Sequence, residues 1–180
     1  MVLIDWLKNV FGGDKKTVSI SEFIGELTAE IWFRELAVQS CINLIAGTLS
    51  KAEFQTFESG QEVRKDNYYL FNVQPNKNKS AAKFWHDVVS RLVYDNHCLV
   101  VQDQAGQLYV ADGFNVERYA FFDYTFSGIT VDGFQLDRSY RQSEVLYFEL
   151  HNEPIRRVIE GLYNSYSKLI EASQKLYLRR

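Results

Sequence analysis

The sequence predicts an α+β protein with N-terminal helices, a central antiparallel sheet and a long C-terminal helix. Three observations lead to this class. Apolar residues recur at helical spacing in the first half of the chain, and they do so again after Pro154. Between these regions, short Tyr- and Phe-rich segments alternate with turn residues, as in an antiparallel sheet. A chain of 180 residues is long enough to bury a substantial core.

The composition is that of a globular protein, with 46% hydrophobic and 15% aromatic residues. The aromatic residues serve either a core or surfaces buried against partners, and composition leaves both uses open. The formal net charge is -3, from 20 basic and 23 acidic residues that are scattered along the chain. This charge pattern excludes a concentrated basic face for clamping nucleic acid.

The N-terminal arm, residues 1–27, opens with "MVLIDWLKNVFGGDKK". Asp5 and Lys8 interrupt what would be the apolar region of a secretion signal. The spacing predicts a short amphipathic helix ending at Gly12–Gly13, which docks on the protein itself or a neighbour rather than on a membrane. Its apolar positions are Leu3, Leu7, Val10 and Phe11. No run approaches the ~18 apolar residues of a membrane span, so we expect a cytoplasmic protein.

A helix is predicted from Thr28 to Leu49, because apolar or small residues fall on one helical face. The face comprises Phe33, Leu36, Ala37, Ser40, Cys41, Leu44, Ile45 and Thr48. Alternation over residues 51–65 around Ser59–Gly60 predicts a hairpin.

A short helix opens at Asp66 and must end before Pro75, because proline disfavours helical geometry in the preceding residue. Ser80 is a favourable N-cap for the next helix, whose apolar stripe runs to Tyr94. The intervening "QPNKNK" is therefore a connector between helices. It lacks the glycines of a phosphate-binding loop, and its two lysines are expected to be solvated.

Asp95–Asn96 is a turn signal, and the segments after it are predicted to form the sheet. Residues 97–112 form a hairpin around a tight turn at Asp103–Gly106. Strand-like segments continue through "VERYAFFDYTFSGITVDGFQLD" and end at "EVLYFEL".

Pro154 stands where a helix can begin, because its missing N–H group costs nothing at the first helical position. The apolar residues that follow alternate in steps of four and three, as in a coiled-coil seam. The seam is a candidate oligomer interface, and its positions are Ile155, Ile159, Leu162, Tyr166, Leu169 and Leu176.

No group of residues in the sequence has the spacing of a catalytic site. His97 and Cys98 are adjacent, so a strand points them to opposite faces and they cannot act as a base and nucleophile together. His86 and His151 share no ligand spacing with each other or with His97, and we predict no metal, cofactor or catalytic residue. Cys41 and Cys98 lie in apolar patterns and are predicted to be small buried hydrophobic residues.

Three motifs occur in an order and spacing that are typical of one family. The first is Ala37, Cys41, Ile42, Asn43, Ile45 and Ala46; the second is Leu70, Pro75 and Asn76; the third is Asn96 with Cys98. From about Thr28 to Tyr166 the chain resembles the portal proteins of tailed bacteriophages, the head-to-tail connector family. Many members have glycine before the Asn of the third motif, where this chain has Asp95.

The resemblance implies a non-enzymatic subunit of a dodecameric ring at one capsid vertex, through which double-stranded DNA passes without sequence-specific binding. It implies terminase, capsid and head-completion proteins as partners, no membrane, and a location in the virion or, during assembly, in the host cytoplasm. It divides the chain into the arm, an α+β portal wing-like core at residues 28–153, and the start of a stem-like helix at residues 154–180. Because family members are longer, the chain is expected to be truncated within that helix.

Two other function classes stay open at this stage. One is a small enzyme that uses Cys98 or a histidine. The other is a non-enzymatic adaptor or binding module that holds a protein partner against an aromatic sheet.

Overall fold

A computed structural model describes residues 20–178, and it describes side chains within residues 25–171 except at 27–28, 162, 165–166 and 169–170. The predicted helix around Leu3–Phe11 therefore lies outside the described residues. The described residues form two compact units, one comprising Ala37–Glu160 and the other comprising the described residues before and after it. The boundaries inferred from the sequence, at 27/28 and 153/154, remain predictions.

The first described helix, α1, spans Ile20–Leu49 and is longer than the predicted segment from Thr28. Ile20, Phe23 and Leu27 continue the helical spacing upstream of Thr28, and this accounts for the additional turns. After α1 come two-residue strands β1 (Phe57–Glu58) and β2 (Gln61–Glu62), paired antiparallel. Ser59 and Gly60 between them both have positive φ, which matches the right-handed twist of a tight hairpin.

Helices α2 (Asp66–Asn72) and α3 (Ala81–Asp95) flank the connector, as the sequence predicts. Ser80 occupies the N-cap position of α3 with extended backbone, although its side chain forms no capping hydrogen bond. Four residues of the α3 stripe are buried: Ala81, Phe84, Trp85 and Val88.

The remaining strands form two sheets. The first has the order β4–β3–β9 and consists of β3 (His97–Gln102), β4 (Leu108–Val110) and β9 (Val145–Glu149). The second is built around β6 and consists of β5 (Gly113–Glu117), β6 (Thr125–Val131), β7 (Phe134–Gln135) and β8 (Tyr140–Arg141). Every pairing is antiparallel.

The segment 118–124 was predicted to be strand-like and is a loop. β5 and β6 pair up to Glu117 and Thr125, so the seven residues between them must reverse the chain direction. The aromatic residues of "RYAFFDY" favoured a strand in the sequence, but they belong to the connection from β5 to β6. At its end the Tyr124 carbonyl accepts from the Gln142 amide at 3.0 Å, next to the pairing of β6 with β8.

Strand β3 lies between two hydrophobic clusters. Cys98 and Val100 pack with α3, whereas Leu99 and Val101 pack with Phe126 and Ile129 of β6. This alternation follows from the two-residue period of a strand. The first sheet is therefore covered on one face by helices and on the other by the second sheet.

The last helix, α4, spans Ile155–Leu178. Helices together with antiparallel sheets confirm the α+β class.

Candidate functional site

Asn76 attaches the connector between α2 and α3 to the first sheet by hydrogen bonds. This residue is only 4% exposed. Its side-chain Nδ2 donates to the Leu108 carbonyl at 2.7 Å, and its Oδ1 accepts from the Asn78 and Lys79 amides at 2.9 Å each. The Leu108 amide donates in turn to the Pro75 carbonyl at 2.9 Å. Asn76 thus shapes the turn and joins it to β4.

The connector contacts the rest of the chain through the Lys79 side chain and the Lys77 backbone. The Nζ atom of Lys79 lies 2.8 Å from an Asp87 carboxylate oxygen on α3. The Lys77 amide donates to the Gln107 side chain at 3.1 Å. A polar loop that looks basic in sequence is therefore held by contacts within the chain.

Asn96 connects α3 to β3 and attaches this turn to the residues that follow β9. Its φ of 64° lies in the left-handed region, which asparagine tolerates better than most residues. Its carbonyl accepts from the Leu150 amide at 2.7 Å, and its Nδ2 donates to the Asn152 carbonyl. Because Asn96 itself provides the left-handed conformation, the preceding position can remain helical and need not be glycine.

A cleft of about 450 Å³ opens beside this corner. Arg156, in the first turn of α4, lies 2.7 Å from an Asp95 carboxylate oxygen and 5.2 Å from the centre of the Tyr94 ring. The Asn96 Oδ1 atom is buried, and none of the described residues provides it with a hydrogen-bond partner. The two contacts of Arg156, with Asp95 and with Tyr94, attach the beginning of α4 to the end of α3.

The histidine and cysteine residues are not brought together. His97 is exposed, with its ring edge-on to Phe114 at 5.2 Å, while Cys98 is buried on the opposite face of β3. Burial raises the pKa of the Cys98 thiol to about 12, despite the opposing effect of Arg91, so it is a poor nucleophile. Within residues 20–178, no group of three potential ligands is placed to hold a metal ion.

The prediction that Cys41 is buried is wrong, whereas that for Cys98 is confirmed. Helix α1 directs Ile42 and Ala46 into the protein, and Cys41 lies about 100° around the helix from Ile42. The apolar spacing identified the helix correctly but not the side of it that this chain buries.

The two thiols are expected to differ strongly in reactivity. At pH 8 a thiol with a pKa of about 12 is ionised in only about one molecule in ten thousand, and Cys98 is also shielded from reagents. In the folded, unassembled protein, an aromatic disulfide reagent should therefore modify one thiol rapidly, and in denaturant it should modify two. Cys41→Ser should abolish the rapid phase. A rapid phase that survived this substitution would contradict the burial of Cys98.

Part of α1 presents an apolar surface to solvent. We call this surface the α1 stripe, and within Ala37–Glu160 it consists of Ala37, Cys41, Leu44, Ile45 and Thr48. All five residues are exposed, and Leu44 has 73% of its surface accessible. Contiguous exposed apolar surface is typical of a site that another protein covers.

The predicted seam on α4 is only partly described. Ile155 is half-buried and Ile159 is buried within the chain, with 8% of its surface exposed. The side chains of Leu162, Tyr166, Leu169 and Leu176 lie outside the described residues. The role of the seam as an interface remains a prediction.

Comparison with known families decides the identity. The profile of the family described as "Phage portal protein" matches residues 36–176, which is most of the chain. The chain belongs to the phage portal protein family. No curated protein matches it significantly.

The motif positions of this portal protein have distinct structural roles. Pro75 and Asn76 fix the connector, and Asn96 fixes the corner before β3. Asn43 and Cys41 lie on α1 and are exposed. Sequence reasoning located these positions but did not identify Leu108 and Asn152 as their partners, because those partners are distant in sequence.

Sequence reasoning also missed Phe121 and Phe122 as surface residues. Their signal was present in the sequence as an aromatic pair next to a turn-forming aspartate, but it was interpreted as part of a strand.

A further observation concerns membranes. Among the described helices, none combines the length and apolar character needed to span a bilayer.

Proposed function

We propose that this portal protein is a structural subunit of the ring at one capsid vertex. The ring is the conduit through which double-stranded DNA is packaged and ejected, and it is the platform for head assembly and tail attachment. The family match over residues 36–176 carries the proposal. Terminase, capsid and head-completion proteins are the proposed partners, the ring is a dodecamer as in the family, and the location is the virion.

Two features of the chain support an assembly role. The α1 stripe leaves apolar side chains exposed, and burying them against sister copies would be favourable. The side chains that could have supported an enzyme, Cys98 and His97, lie on opposite faces of a strand, and the thiol is buried. Membership of a structural family supports the expectation that the chain is not an enzyme.

The charge of the chain is compatible with a DNA conduit. A net charge of -3 with scattered basic residues gives no strong attraction for phosphates. DNA can therefore move past such a surface without being held.

The adaptor alternative rested on the aromatic residues of the sheet. Phe114, Phe126 and Tyr147 contact one another within a single hydrophobic cluster, with ring centres 5.0 to 6.1 Å apart. Their enrichment is explained by packing between the two sheets. Phe121, Phe122 and Phe134 remain exposed, so an adaptor that binds a protein partner through aromatic residues stays the second candidate.

The proposal is tested by imaging the product of the complete reading frame after purification. Closed rings of identical subunits are expected in negatively stained fields. A protein that stays monomeric at all accessible concentrations would contradict the proposed function.

A further inference from the structure

We draw no further inference here: the strongest candidate, the polar cleft that Asp95, Asn96, Asp112 and Glu149 line beside the turn from α3 to β3, carries none, because each of its three carboxylates is already paired with an arginine of the chain and nothing in the structure shows what ligand the buried Asn96 Oδ1 atom would contact.

Discussion

Phe126→Ala is expected to lower the free energy of unfolding by about 3–5 kcal/mol. Phe126 is fully buried on β6, and its ring centre lies 5.0 Å from that of Tyr147 and 6.0 Å from that of Phe114. The substitution would leave a cavity between the two sheets, where close packing limits relaxation. A domain stabilised by roughly 5–15 kcal/mol would lose a large part of its stability.

The effect is measured by urea unfolding followed by circular dichroism. Phe134→Ala is the matched control, because Phe134 also lies in the second sheet but is 69% exposed. We expect the control to change stability by less than about 1 kcal/mol. Equal losses for the two variants would show that Phe126 is not a packing centre.

Asn76→Ala is expected to cost about 2–3 kcal/mol, because it removes the donor to the buried Leu108 carbonyl and the acceptor of two amides. The connector would lose both its turn geometry and its attachment to β4. The measurement is again urea unfolding, combined with hydrogen exchange of the Leu108 amide. That amide donates to the Pro75 carbonyl and should lose protection when the connector loosens.

Two further variants separate these contributions. Asn78→Ala changes the same residue type two positions away, at an exposed site, and should change stability by less than about 0.5 kcal/mol. Asn76→Asp keeps the acceptor for the Asn78 and Lys79 amides but loses the donor to Leu108. It should remain destabilising, since a buried carboxylate would face a carbonyl oxygen. If Asn76→Ala unfolded like Asn78→Ala, the connector would not depend on Asn76.

Local sequence patterns were sufficient to predict most of the secondary structure. The proline at 75, the N-cap at Ser80 and the stripe on α3 define two helices and their connector without knowledge of the rest of the fold. The hairpin at Ser59–Gly60 follows from turn chemistry alone. These features depend on interactions between residues close in sequence.

Tertiary arrangement could not be derived in the same way. The continuous apolar run Cys98–Val101 is compatible with a strand buried on both faces, but the two layers that cover β3 come from α3 and β6. The exposure of Cys41 and the loop position of Phe121 depend on which neighbours the folded chain provides. Single-sequence spacing does not contain that information.

The candidate functional surfaces were predictable only in part. The motif residues Pro75, Asn76 and Asn96 can be picked out in the sequence, but their structural contacts depend on Leu108, Leu150 and Asn152, which are distant in sequence.

The central claim is that this chain builds a homomeric portal ring, and the most direct measurement is the mass and symmetry of the assembled complete gene product. Native mass spectrometry combined with electron-microscope class averages should show particles of one subunit type arranged around a central opening. The mass should be an integral multiple of the subunit mass, with twelve copies expected from the family. A monomer, or a stoichiometric complex with an unrelated protein and no ring, would contradict the claim.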